Sequence, residues 1–211
     1  QIVYYFKAYL ELLKNKRIEA GEEINIAVPT GNFGNILAGY YAYRMGLPVN
    51  KFICASNENK VLKDFLDTGV YDIKREFKKT ISPSMDILIS SNLERFLFEM
   101  TGHDSDKINE WYRELNLNKK FKIDEETKNK IQKLFSGHYS SEEEAKETIK
   151  LSFEKYNYLL DPHTAVGVKS LQKYSKKYDD STISVVDSTA SPYKFSRAVL
   201  ESLKNKKIDR D

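Results

Sequence analysis

The chain has 211 residues, 40% of them apolar, and a net charge of +3 from 34 basic and 31 acidic side chains. That length suits one domain or slightly more. The small net charge implies no nucleic-acid partner, and the lysines read as solvated helix faces. A single cysteine, Cys54, excludes an intrachain disulfide, and no apolar run approaches the ~20 residues of a membrane-spanning helix.

In chain order, residues 1–15 are amphipathic and read as a helix, and residues 24–28 as a short apolar strand. A turn with two glycines follows, then a helix over about 35–44 that Gly46 and Pro48 stop. Residues 52–55 form a second strand, where Cys54 is a buried, inert thiol that fits a reducing, cytoplasmic setting. The strand–helix–strand order predicts a parallel pair with a right-handed crossover. Helices are expected over 57–67, 90–100, 104–115, 124–135, 141–156 and 161–176. Ser140 with Glu143, or Ser141 with Glu144, can form a capping box, and Asp161 before Pro162 marks another helix start. Residues 119–123 read as a turn, 183–186 as a third strand and 192–203 as a last helix. The fold class is therefore α/β, a parallel sheet flanked by helices, with a helical insert at about residues 101–157. Three strands are few for so many helices, since sheets average about five or six; further strands are expected from a preceding portion of a longer chain.

The turn Gly31-Asn32-Phe33-Gly34-Asn35 is the strongest local signal. Glycine admits close approach of a ligand and φ > 0, and the free N–H groups of a helix's first turn attract an anion. The spacing is neither of the common nucleotide-binding patterns. By the residues alone, a phosphate cradle and an ordinary strand-to-helix turn both fit. Ser188 and Thr189 follow the third strand. If that strand runs parallel to the first, their hydroxyls lie on the same sheet edge as the turn, where ligands of open sheets bind. The remaining candidates carry less. His163 sits in a helix's first turn and suits a packing or capping role, while His103 and His138 follow glycines and read as loop residues. The three histidines show no ligand spacing, so no metal site is expected. Asn92, Glu94 and Arg95 read as a polar helix face, and Tyr40, Tyr41 and Tyr43 as packing behind the turn.

Ordered motifs extend the argument across nearly the whole chain. They are Val28-Pro29-Thr30-Gly31-Asn32-Phe33-Gly34-Asn35, then Ser56-Asn57-Glu58-Asn59, then Ser82-Pro83-Ser84-Met85-Asp86-Ile87 with Ser90-Ser91-Asn92-Leu93-Glu94-Arg95. Asp161-Pro162-His163-Thr164-Ala165-Val166-Gly167 and Ser188-Thr189-Ala190-Ser191-Pro192-Tyr193-Lys194-Phe195 complete the set. Together they resemble threonine synthase, a pyridoxal-phosphate (PLP) enzyme of fold type II. The resemblance implies that the chain is part of the large domain, binding PLP phosphate through Gly31, Asn32, Phe33, Gly34 and Asn35. It implies that Thr189, or its neighbour Ser188, meets the pyridine nitrogen, and that Ser84, Asp86 and Asn92 shape the site entrance. The implied reaction converts O-phosphohomoserine and water to threonine and phosphate. The family's Schiff-base lysine lies in a Phe-Lys-Asp motif upstream of the phosphate turn, and no Phe-Lys-Asp occurs here. The expectation is a piece of a longer protein, lacking an N-terminal portion and a C-terminal tail, with no catalytic residue of its own and inactive alone. Ser191 and Tyr193 depart from the family's pattern at the rim. Two rivals stand beside this reading: within the resemblance, another fold-type-II PLP lyase such as a serine or threonine dehydratase, and, from the turn alone, a non-catalytic phosphate- or nucleotide-binding module.

Overall fold

A computed structural model describes residues 1–206 and 208. Helix α1 (Ile2–Lys14) precedes β1 (Ile24–Pro29), α2 (Gly34–Arg44), β2 (Val49–Ser56), α3 (Val61–Thr68) and β3 (Val70–Asp72). Next come α4 (Leu93–Met100), α5 (Ser105–Asn118), β4 (Lys120–Lys122), α6 (Glu125–Leu134), β5 (Phe135–Tyr139) and α7 (Glu142–Tyr156). The chain continues through α8 (Pro162–Tyr178), β6 (Ser184–Val186) and α9 (Ser196–Lys204).

Among the described residues the main sheet has four parallel strands in the order β5-β2-β1-β6. Strand β1 is apolar at all but Asn25 and buried throughout, the pattern of a parallel strand covered on both faces. One face carries Ile26, Val28, Phe52 and Cys54, which join the core with Tyr5 of α1, Ile36 and Tyr40 of α2 and Phe96 of α4. The opposite face carries Ala27 and Ile53, packed on Tyr174 of α8. Behind α8 lie α7 and α9. The Ser141–Glu144 capping box fixes the start of α7, and Glu144 also holds Lys173 of α8 at 2.6 Å.

The fourth strand corrects the sequence reading. Residues 135–139 were expected as a helix end and a loop, but they pair in parallel with β2. A glycine in so short a run reads as a turn. Here Gly137 serves a close approach, since a Cβ on it would stand 2.9 Å from the backbone of Lys63 in α3. His138, expected in a loop, is thus buried on β5, and burial with the neighbouring Lys177 pushes it down to about 4. Residues 101–157 are accordingly not wholly helical, and the expected turn at 119–123 is β4, antiparallel to β3. Two helices start late. Helix α3 begins at Val61 and α4 at Leu93 because the residues before them are spent on the turn region described next.

Candidate functional site: the turn after β1

Strand β1 delivers the chain to the carboxyl edge of the sheet, where residues 31–35 turn into α2. Neither glycine of the turn has positive φ. That conformation falls on Phe33, with φ 62. For an L-residue this costs on the order of 1 kcal/mol. Burial of the Phe33 ring, 4.9 Å from Phe96, holds it there. The glycines serve contact instead. A Cβ on Gly31 would lie 2.4 Å from the Ser84 carbonyl oxygen, and one on Gly34 would lie 3.3 Å from Asn92 Nδ2.

The loop 82–92 forms the roof. Ser90 Oγ donates to the Gly31 carbonyl at 2.9 Å, and Asn92 donates twice to the Asn32 carbonyl, at 3.1 Å from its N–H and 2.8 Å from Nδ2. These bonds take the carbonyls of the turn. Among the described residues, no protein acceptor takes the backbone N–H groups of Asn32, Phe33, Gly34 or Asn35. Carbonyls tied back and N–H groups left free at a helix start are the elements of an anion cradle.

Strand β6 ends beside this turn. It runs parallel to β1 with Val186 opposite Ala27, so residues 187–189 leave from the same edge as residues 30–35. Asn35 Nδ2 donates to Asp187 Oδ2 at 2.5 Å, and Tyr5 donates its hydroxyl to the Asn35 carbonyl at 2.8 Å. Burial raises the Asp187 carboxyl above its ordinary range, and the Asn35 amide opposes the rise. Thr189 stands exposed three residues past Val186, and Ser188 Oγ lies 3.1 Å from Thr164 Oγ1.

The three entrance candidates differ in what they have left to offer. Asp86 accepts from Asn57 Nδ2 at 2.7 Å, Asn59 Nδ2 at 3.0 Å, and the Thr80 N–H and hydroxyl at 2.8 Å each. Its carboxylate is consumed in a knot that ties β2's exit to the roof. The Asn92 amide is likewise engaged, by Asn32 and by Arg95 at 2.9 Å. Ser84 is exposed, and among the described residues its hydroxyl has no protein partner. Sequence reasoning missed Asp187 and the Asn57–Asp86 knot. The signal for both was a short polar residue at the carboxyl end of a predicted strand. No cluster of three potential metal ligands occurs among the described residues, and no helix is long and apolar enough to cross a membrane.

A parallel α/β sheet with this turn at its carboxyl edge is the fold of the PLP-dependent fold type II enzymes, and threonine synthase structures match it. Residues 164–210 match the family profile "Threonine synthase, C-terminal". A threonine synthase-like 1 protein of Macaca fascicularis is 42% identical over 99% of this chain and 28% of its own length. Threonine synthase of Saccharomyces cerevisiae is 40% identical over 96% of this chain and 42% of its own length. A PLP-bound threonine synthase from Brucella melitensis superposes with a TM-score of 0.87 at 41% identity, covering 95% of this chain and 41% of that one. Within that class, the chain is similar by sequence and by fold to a part of the threonine synthases. It spans less than half the length of these relatives.

Proposed function

We propose that the polypeptide containing this chain is a PLP-dependent threonine synthase, converting O-phosphohomoserine and water to threonine and phosphate, and that this chain supplies the cofactor-binding part of its large domain. The observation that carries the reading is the turn 31–35, where the N–H groups of Asn32 to Asn35 face no acceptor among the described residues while the Gly31 and Asn32 carbonyls are tied to the roof. A Cβ at Gly31 would stand 2.4 Å from the Ser84 carbonyl oxygen, so glycine there is what lets the roof loop close onto the turn.

In this reading the N–H groups of Asn32, Phe33, Gly34 and Asn35 hold the cofactor's phosphate, helped by the dipole of α2. Thr189 meets the pyridine nitrogen. A neutral hydroxyl there leaves that nitrogen unprotonated, where a carboxylate would hold a proton on it. The carboxylate at this edge, Asp187, is engaged by Asn35. When bound, PLP supplies an electron sink for carbanion chemistry on the substrate. Ser84 offers the free hydroxyl at the rim, while Asp86 and Asn92 position the roof. The pairing of β5 with β2 supports reading residues 101–157 with the same sheet-bearing unit.

The test is the complete polypeptide with O-phosphohomoserine, scoring threonine and phosphate together with the visible absorbance of bound PLP. Both products in equal amounts are expected. A visible band with dehydration of serine or threonine and no phosphate release would identify a dehydratase-type lyase. Phosphate or nucleotide binding without the band would identify a binding module.

A further inference from the structure

Asp161 caps α8 and is only 1% exposed, between the two ends of the proposed cofactor site. An N-cap carboxylate needs only the N–H groups of the helix's first turn, and Asp161 Oδ1 takes those of His163 at 2.8 Å and Thr164 at 3.3 Å. Two further arms exceed what a cap requires. One is the His163 ring, with Nδ1 3.1 Å from Asp161 Oδ1 and Nε2 accepting the Ser84 N–H at 3.2 Å. Because Nε2 accepts, the ring proton sits on Nδ1 and points at the carboxylate. The second arm is the Thr164 hydroxyl, which donates to Asp161 Oδ2 and is thereby left to accept from Ser188 Oγ at 3.1 Å.

Each arm ends on one side of the cleft. Ser84 is the roof residue whose carbonyl lies against Gly31. Ser188 adjoins Thr189. Burial pushes the Asp161 carboxyl up, and the hydrogen bonds from His163 and Thr164 more than reverse this, leaving it below its ordinary range. The fork is thus a charged carboxylate with both oxygens committed. A flat, rigid ligand gripped at both ends tolerates little error in the distance between its grips.

We propose that Asp161 is a positioning residue that sets the register between the two ends of the cofactor site, holding the phosphate roof through His163 and the Ser188–Thr189 segment through Thr164. The inference rests on the PLP reading above. The complete polypeptide is titrated with PLP and with pyridoxal, which lacks the phosphate, while a thermal melt reports folding. His163→Phe keeps the ring that packs 4.8 Å from Phe195 and removes both nitrogens. It should lower PLP affinity by about tenfold and leave pyridoxal affinity unchanged, because only the phosphate end is loosened. His163→Gln, whose amide oxygen can accept from Ser84, should recover most of that loss. Thr164→Val should lower both affinities by the same factor, roughly fivefold, because both ligands share the ring end. Equal losses of PLP and pyridoxal affinity in His163→Phe, or unchanged affinities in either folded variant, would overturn the fork. Should His163→Phe fail to fold, Thr164→Val and Ser188→Ala decide: the double variant must lose no more than the larger single loss, and additive losses refute the shared bond. Wild-type protein that binds no PLP refutes the cofactor reading itself, a result distinct from all of these.

Discussion

Gly31 and Gly34 sit in one turn, yet they bear different loads. At Gly31 an added methyl would stand 2.4 Å from a backbone oxygen, and at Gly34 it would stand 3.3 Å from a side-chain amide that can shift. Gly31→Ala should therefore push the Ser82–Asp86 roof outward. It should destabilise the fold by about 1–3 kcal/mol, as overpacking does, and weaken PLP binding strongly. Gly34→Ala should cost less than half as much, and denaturant melts of the two variants beside PLP titrations check the order. Thr189→Val conserves shape and removes the hydroxyl. It should leave stability unchanged and weaken cofactor binding by about 0.5–1.5 kcal/mol, the worth of one hydrogen bond. If PLP affinity and turnover both survive that change, Ser188 becomes the group to test. The turn itself was legible because glycine, asparagine and the flanking apolar run carry a local signal. What could not be read was the division of labour, in which Phe33 takes the positive φ and the glycines take the contacts. Contacts with a loop 50 to 60 residues away leave no trace in the local pattern.

Strands β1, β2 and β6 and the long helices followed from periodicity and stop signals, and the α7 and α8 caps from single residues such as Ser141 and Asp161. Strand β5 did not, because tertiary packing against α3 overrides what Phe-Ser-Gly-His-Tyr would prefer alone. Its burial has a measurable signature. His138 is held near 4, below the ~6.5 of an exposed imidazole, so the folded form disfavours the proton that the unfolded chain accepts. The stability this provides is complete above about pH 6.5 and declines as pH falls toward 4, by roughly 2–3 kcal/mol in total. In His138→Phe that part of the pH dependence should flatten. Melts at pH 7 and pH 4.5 check it, and an unchanged slope would show that other groups carry the loss. The lateness of α3 and α4 has a similar origin. Residues 57–59 and 90–92 have helix-compatible sequences, but their polar groups are committed to Asp86 and to the turn.

At the scale of the molecule, the architecture of an α/β parallel sheet was evident from element order, while strand number was not. The chain presents the turn and sheet edge proposed to hold the cofactor, yet no Phe-Lys-Asp motif. The isolated 211 residues should therefore show no turnover of O-phosphohomoserine. Product formation by the purified chain, or borohydride trapping of PLP on one defined lysine of it, would contradict this. The pairing of β6 with β1 has a temporal consequence. Among the described strands of the sheet the two are the last and first in sequence, about 160 residues apart in their register, Asn25 opposite Ser184. Closing so long a loop is slow, and contacts of this separation form late. During synthesis the turn at residues 31–35 leaves the ribosome long before Asp187 and Ser188 exist to flank it. In the proposed reading the two ends of the cofactor site meet only once β6 has paired with β1, so PLP should bind after that pairing and not nucleate it.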